Sequence, residues 1–327
     1  MLAASATSHG EGVPQLFDSD NVLDVEIRGA LWSLVQGKQE REEYPVVISA
    51  GGHDFEIKAR ARGNSRLRLC RFPPLRLDFT GAATAGTVFE GLGRVRMVTH
   101  CNRSNARSED AGLNEFAAYR LFNALTENSY RVRLLRVNYR DSDERLKGLD
   151  KPYYGFVMEP DSHLEERLTS RDLDVTGVVY RRLDQAQVAL MTVFQYMIGN
   201  PDWSLVAGDG EDECCHNVRL FDTGDSWLTI PYDFDLSGLV NARYRTSDKL
   251  VQSRRRVYLG LCKAAREDVA SAVRQIVVRK DALLRIAGEI PSVDEKARSR
   301  RVKYLDGFFA EAADEERLVA RFERRCL

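Results

Sequence analysis

Apolar and polar side chains alternate with a period of two along much of the first half of the chain. Leu23, Val25 and Ile27 interleave with Asp24, Glu26 and Arg28. Phe55, Ile57, Ala59 and Ala61 interleave with Glu56, Lys58, Arg60 and Arg62, and Leu75, Leu77 and Phe79 with Arg76 and Asp78. This is the pattern of antiparallel strands with one wet face. Further strands are predicted over Arg94–His100, Val132–Tyr139 and Tyr153–Met158, and a turn at Arg62-Gly63-Asn64-Ser65. The period lengthens over Asn114–Leu125, where Ala118, Leu121, Phe122 and Leu125 fall on one side of a predicted helix.

Beyond Glu159-Pro160-Asp161 the pattern changes. Asp184–Gly199 is apolar nearly all round, which predicts a fully buried helix with Asp184 as N-cap and Gly199 as terminator. Two short strands follow at Val218–Phe221 and Trp227–Ile230, then a long amphipathic helix over Lys263–Glu289. A last helix is opened by Ser292-Val293-Asp294-Glu295, which has capping-box spacing. Strands first and helices after predict an α+β protein of two lobes, residues 1–160 and 161–327, with a ligand cleft at the junction.

Composition narrows the function classes. With 48 basic against 49 acidic residues, the net charge of −1 supplies no whole-protein drive toward nucleic acid or an anionic membrane. No stretch approaches the ~18 apolar residues of a membrane span. None of the six cysteines makes a C-x-x-C pair, which argues against a zinc site, and an even count permits bridges, Cys70–Cys101 being the first pair to test. The segment Met1–Pro14 has no basic or apolar signal-peptide region, so a cytoplasmic location is expected as written, with export open if a signal has been removed.

The chemistry concentrates between Ile198 and Ser237. This tract contains Ile198-Gly199-Asn200-Pro201-Asp202-Trp203, then Cys215-His216-Asn217-Val218, then Ile230-Pro231-Tyr232-Asp233-Phe234-Asp235. Asp202 follows a buried helix that would hold its loop rigidly, Asn217 opens a strand, and Asp233 and Asp235 follow another. Oxygen ligands held rigidly, with positions left open, suit Mg²⁺ or Mn²⁺ carried with a nucleotide. An Asp, an Asn and a further Asp in that order are parts that phosphoryl transfer uses, together with a base on a strand paired to a helix Glu. Arg96 and Glu115, 19 residues later, are the candidates for that pair. His216 reads as a structural histidine, Gly63-Asn64-Ser65 reads equally well as a plain turn, and Cys214-Cys215 as bystanders. Arg254–Arg256 and the acidic run 209–213 read as solvated faces.

The order Arg60-x-Arg62-Gly63-Asn64-Ser65, Glu115, Ile198-Gly199-Asn200-x-Asp202-Trp203, His216-Asn217 and Pro231-Tyr232-Asp233-Phe234-Asp235 resembles the spore-coat CotH kinase family over roughly residues 54–244. The resemblance implies an atypical protein-kinase-like fold with a strand-rich N-lobe and a helical C-lobe. It implies Asp202 as the proton-accepting carboxylate, Asn217 and Asp233 on the metal with Asp235 in support, and Glu115 orienting the phosphate-contacting base. Arg62, Gly63, Asn64 and Ser65 would form a loop near the phosphates, and Glu159, at the junction of the lobes, is a further candidate for the nucleotide. The sequence departs from the family at that base, where Arg96 stands in place of Lys, an exchange that replaces a point charge by a planar fork. The expected activity is ATP- and Mg²⁺-dependent phosphorylation of protein Ser or Thr hydroxyls. The alternatives are a pseudokinase acting as a binding module and an AMP transferase.

Overall fold

The structure, a computed structural model, describes residues 15–102, 106–206, 214–242 and 255–327. Residues 1–14, the acidic run 209–213 and Arg254 therefore lie outside the described residues. Seven strands build the first half: β1 (Leu23–Gly29), β2 (Tyr44–Ala50), β3 (His53–Ala61), β4 (Leu75–Asp78), β5 (Arg94–Val98), β6 (Val132–Asp141) and β7 (Tyr153–Met158). They close into a barrel in the order β1-β2-β3-β4-β5-β7-β6. Every neighbouring pair is antiparallel except the last, where β1 runs parallel to β6 from Leu23 opposite Leu135 to Gly29 opposite Asp141.

That closure overturns the expected kinase-like α+β fold with an open-sheeted N-lobe. An open sheet leaves unpaired N–H and C=O groups on its edge strands. Here β1 and β6 satisfy each other, and the alternating pattern turns Val25, Ile27, Val46, Ile48, Phe55, Ile57, Leu77, Val95 and Val137 into one buried core. The expected turn at 62–65 also differs. Gly63 takes a positive φ of 94°, and the chain then enters the short helix α2 (Ser65–Leu69), α1 (Leu31–Gln36) having come before β2. The structure joins Cys70, at the end of α2, to Cys101, just past β5. Cys214–Cys215 and Cys262–Cys326 are bridged as well.

Helix α3 (Ala106–Asn123) follows β5 and starts earlier than its apolar periodicity indicates. Its residues Leu113, Phe116, Ala117 and Leu121 belong to a second core, shared with α5 (Gln185–Ile198) and with Phe156 and Met158 of β7. Asp184 caps α5 by accepting the Gln187 N–H at 2.8 Å, and Gly199 ends it in the left-handed conformation. Helix α4 (Asp161–Arg167) and the three-stranded sheet β10-β9-β8 lie around α5, with β8 Arg171–Asp172, β9 Val218–Asp222 and β10 Trp227–Pro231. The predicted long helix divides at Arg279 into α6 (Arg266–Val278) and α7 (Lys280–Glu289). The last two helices are α8 (Glu295–Ala312), capped by Asp294, and α9 (Glu315–Glu323). Among the described residues no helix is long and apolar enough to cross a membrane.

Candidate functional site

The β9–β10 hairpin sets the geometry. Val218 pairs with Pro231 at its open end, so Asn217 and Tyr232 leave the two strands side by side, and the Tyr232 N–H donates to the Asn217 carbonyl at 3.1 Å. Asn217 and Asp233 both adopt positive φ, 52° and 55°. Asn and Asp are the non-glycine residues that enter this region at least cost, and such strained positions collect at functional sites. Phe234 is fully buried and edges onto Tyr119 of α3, with ring centroids 4.7 Å apart. It anchors the segment between the two carboxylates.

Asp202 stands at the same corner. Past Gly199, the buried Asn200 donates from its side chain to Gln195 Oε1 at 3.1 Å and accepts the Asp202 N–H at 3.1 Å, which fixes the loop. Asn217 Nδ2 donates to the Asp202 carbonyl at 2.7 Å and to its Oδ2 at 2.9 Å, while His216 Nε2 lies 3.1 Å from Oδ1. Ser204 and His216 exchange backbone hydrogen bonds at 3.0 Å, so the two loops are stitched together. His216 thus has the structural place expected of it, yet it also touches the carboxylate assigned the proton.

The base that faces Glu115 is Arg66, not Arg96. Arg66 Nη2 binds Glu115 Oε2 at 2.8 Å and Asp233 Oδ1 at 3.3 Å, and its Nε binds Asp235 Oδ2 at 2.8 Å. The side chains of Arg66, Glu115 and Asp235 are buried, whereas that of Asp233 is 46% exposed. One guanidinium therefore meets three carboxylates. Burial pushes the Glu115 carboxyl up; Arg66 opposes the shift, and repulsion from Asp233 and Asp235 adds to it. Burial likewise raises Asp235 against the pull of Arg66, with Asp233 and Asp202 adding their repulsion. Arg66 lies one residue beyond the Arg60–Ser65 motif, and the turn of helix α2 aims it inward. The Cys70–Cys101 bridge holds that helix against β5.

Arg96 takes a different role. It pairs with Asp161 at the start of α4, and its guanidinium lies 5.9 Å from the ring centroids of both Tyr130 and Tyr232. Arg62, Gly63, Asn64 and Ser65 do line the same cavity as Arg66, Arg96, Glu115, Tyr119 and Asp233. Burial and the neighbouring Arg96 push the Arg62 guanidinium down from its ordinary value. Glu159 does not reach this cavity. It is fully buried and held by Arg167 at 3.0 and 2.9 Å, with the Arg131 N–H at 3.0 Å, a structural pair.

The cavity is narrow, about 50 Å³. A larger one, about 560 Å³, lies on the Asn114 side of α3 and is lined by Arg107, Arg256, Arg301 and Tyr304, so the adjacent Asn114 and Glu115 face different spaces. Among the described residues no three His, Cys, Asp or Glu side chains form a ready-made metal cage. Glu115, Asp233 and Asp235 are turned to Arg66, and Asn217 is turned to Asp202. The donor set would nevertheless suit a hard divalent cation through its carboxylate and amide oxygens, with Asp233 half-exposed. Mg²⁺ binds through one or two carboxylates plus waters and phosphates, not through a closed protein cage. No protein-family model matches this chain, and no curated protein matches it.

Proposed function

We propose that the chain transfers a phosphoryl group from a nucleoside triphosphate, carried with a divalent cation, to a hydroxyl, with protein Ser or Thr as the acceptor. The observation that carries this reading is the meeting of Asp202 and Asn217 with the Arg66–Glu115–Asp233–Asp235 centre at one end of the β9–β10 hairpin. The order of Glu115, Asp202, Asn217, Asp233 and Asp235 along the chain is the one whose resemblance to CotH kinases suggests the reaction. The barrel plays no part in the argument.

Asp233 and Asn217 would hold the cation, whose chemistry is to neutralise charge on the phosphate oxygens. Asp202 would take the proton of the acceptor hydroxyl as its oxygen bonds to phosphorus and the bond to the leaving diphosphate breaks. Asn217 and His216 fix the orientation of the Asp202 carboxylate, and Arg66 holds Asp233 in place from behind. Arg62 and Arg96 place positive charge at the cavity. Positioning and charge neutralisation are the main resources of phosphoryl transfer.

The test is transfer of γ-labelled phosphate to an acceptor protein. Asp202→Asn should lower the rate by about 10²–10⁴ with an unchanged melting temperature. An unchanged rate would remove Asp202 from the reaction. Label appearing only from the α position would convert the reading to AMP transfer.

A second reading, a catalytically silent binding module, draws on the cavity of about 50 Å³, well below the roughly 300 Å³ at which small-molecule sites begin. Thermal stabilisation by nucleotide and Mg²⁺, about 2.7 kcal/mol at 100 times Kd, supports the enzyme; no shift with any divalent ion supports the module.

A further inference from the structure

Strands β3, β4 and β5 carry two adjacent rows of side chains on the outer face of the barrel. In one row Lys58 lies opposite Asp78 and Asp78 opposite Arg94, so the charges alternate, and Arg94 Nε meets Asp78 Oδ2 at 2.7 Å. In the next row Arg60 lies opposite Arg76 and Arg76 opposite Arg96, three cations in register. Like charges directly opposite on neighbouring strands are destabilising, and opposite charges stabilising. The alternating row shows that the sheet accommodates complementary pairs. The uniform row is the exception.

Its surroundings offset the repulsion only in part. Arg76 reaches Glu43 at 2.8 Å, yet its Nε is buried with no hydrogen-bond partner, and Arg96 is paired with Asp161. Arg60 bonds the Ala61 carbonyl at 3.2 Å and has no ion pair with a carboxylate among the described residues. The row starts inside the candidate site, where Arg96 and Arg62 line the cavity, and ends on open sheet at Arg60. With strands spaced about 4.8 Å apart it spans roughly 10 Å.

We propose that the Arg60–Arg76–Arg96 row holds the acidic side chains of an extended polypeptide, the segment flanking the hydroxyl that is phosphorylated. That the bound segment is phosphorylated rests on the phosphotransferase reading; the binding itself does not. Beyond Arg96 the row lies on unenclosed sheet, which does not suit a small molecule, since these bind in concave sites. A nucleic acid needs a broad basic surface, whereas here Glu43 and Asp78 interrupt the cations.

The test is fluorescence anisotropy of a labelled ten-residue peptide of alternating Glu and Ser, without nucleotide, so that binding is read apart from transfer. Arg60→Ala with Arg76→Ala should weaken it at least tenfold, while Lys58→Ala with Arg94→Ala in the alternating row should change it less than twofold. Inorganic triphosphate and a single-stranded oligonucleotide serve as competitors. Arg60→Gln alone should raise the melting temperature by about 1–2 °C as repulsion is relieved. The proposal fails if the peptide does not bind, if the two double variants weaken it equally, or if the oligonucleotide or triphosphate displaces it at lower concentration. Peptide binding with no phosphoryl transfer would instead remove the catalytic reading and leave the acidic-peptide surface standing.

Discussion

The molecule buries two arginine–carboxylate centres that follow opposite rules. At Glu159 one carboxylate meets one guanidinium in a two-pronged pair, and Arg167 Nη1 and Nη2 also donate to the carbonyls of Glu127 and Ser129. At Arg66 one guanidinium serves three carboxylates, with Asp202 close enough to raise Asp235 further. The first centre is neutral and its bonds are spent on structure. The second crowds three carboxylates onto one cation beside a cavity, where burial and mutual repulsion push Glu115 and Asp235 up, a cost that folding alone does not require. Buried ion pairs are poor evidence of function when balanced; imbalance is the more telling sign.

Removing one charged partner at each centre gives the largest contrast. Arg66→Met should destabilise the protein by about 3–5 kcal/mol in urea unfolding at pH 8, because three carboxylates lose their shared partner. Glu159→Gln should cost about 3 kcal/mol at any pH near neutral, since it strands Arg167. A smaller loss for Arg66→Met than for Glu159→Gln would reverse the comparison. Next in size is the effect of Mg²⁺, up to about 2.7 kcal/mol at 100 times Kd, read as a melting-temperature rise that disappears in Asp233→Asn. A rise that survives this substitution would place the ion elsewhere.

Asp235→Asn should be smaller still, within about 1 kcal/mol and of a sign that depends on pH. Burial pushes Glu115 up to about 8 and Asp235 up to about 7 in the folded state, both well above the ordinary carboxylate range. The folded protein therefore retains protons that the unfolded chain has released. Stability from these groups is full below about pH 4 and is lost as pH rises toward 8. Asp235→Asn should flatten that decline between about pH 4 and 7, and equal slopes in urea titrations of the two proteins would contradict it. The smallest effect belongs to Arg96→Lys, below about 1 kcal/mol, because its partner Asp161 is partly exposed.

Local signals were legible in the sequence and distant ones were not. The period-two runs located β1, β3 and β4, further strand-like runs located β5, β6 and β7, and the all-round apolar run located α5 together with both its caps. Strand β2 was missed, since Pro45 and the consecutive Val46 and Val47 blur its alternation. The barrel was missed because its decisive contact joins strands more than a hundred residues apart, and no period records such a pairing. For the candidate site, Asp202, Asn217, Asp233, Asp235 and Glu115 were picked out from order, spacing and the resemblance. Arg66 was not, because helix α2 is only five residues long and its inward aim comes from tertiary packing. Glu159 was placed with the nucleotide from its position at the junction, although Arg167, one helix away, consumes both its oxygens.

The parallel seam between Leu23–Gly29 and Leu135–Asp141 also sets an order of assembly. During synthesis the first strand can zip to the second at once, but its other flank has to wait until residue 141 has left the ribosome. For that interval a row of backbone donors and acceptors stands open to any passing chain, a hazard for association between nascent molecules. The final closure joins segments so remote in the sequence that it belongs among the slow steps of maturation.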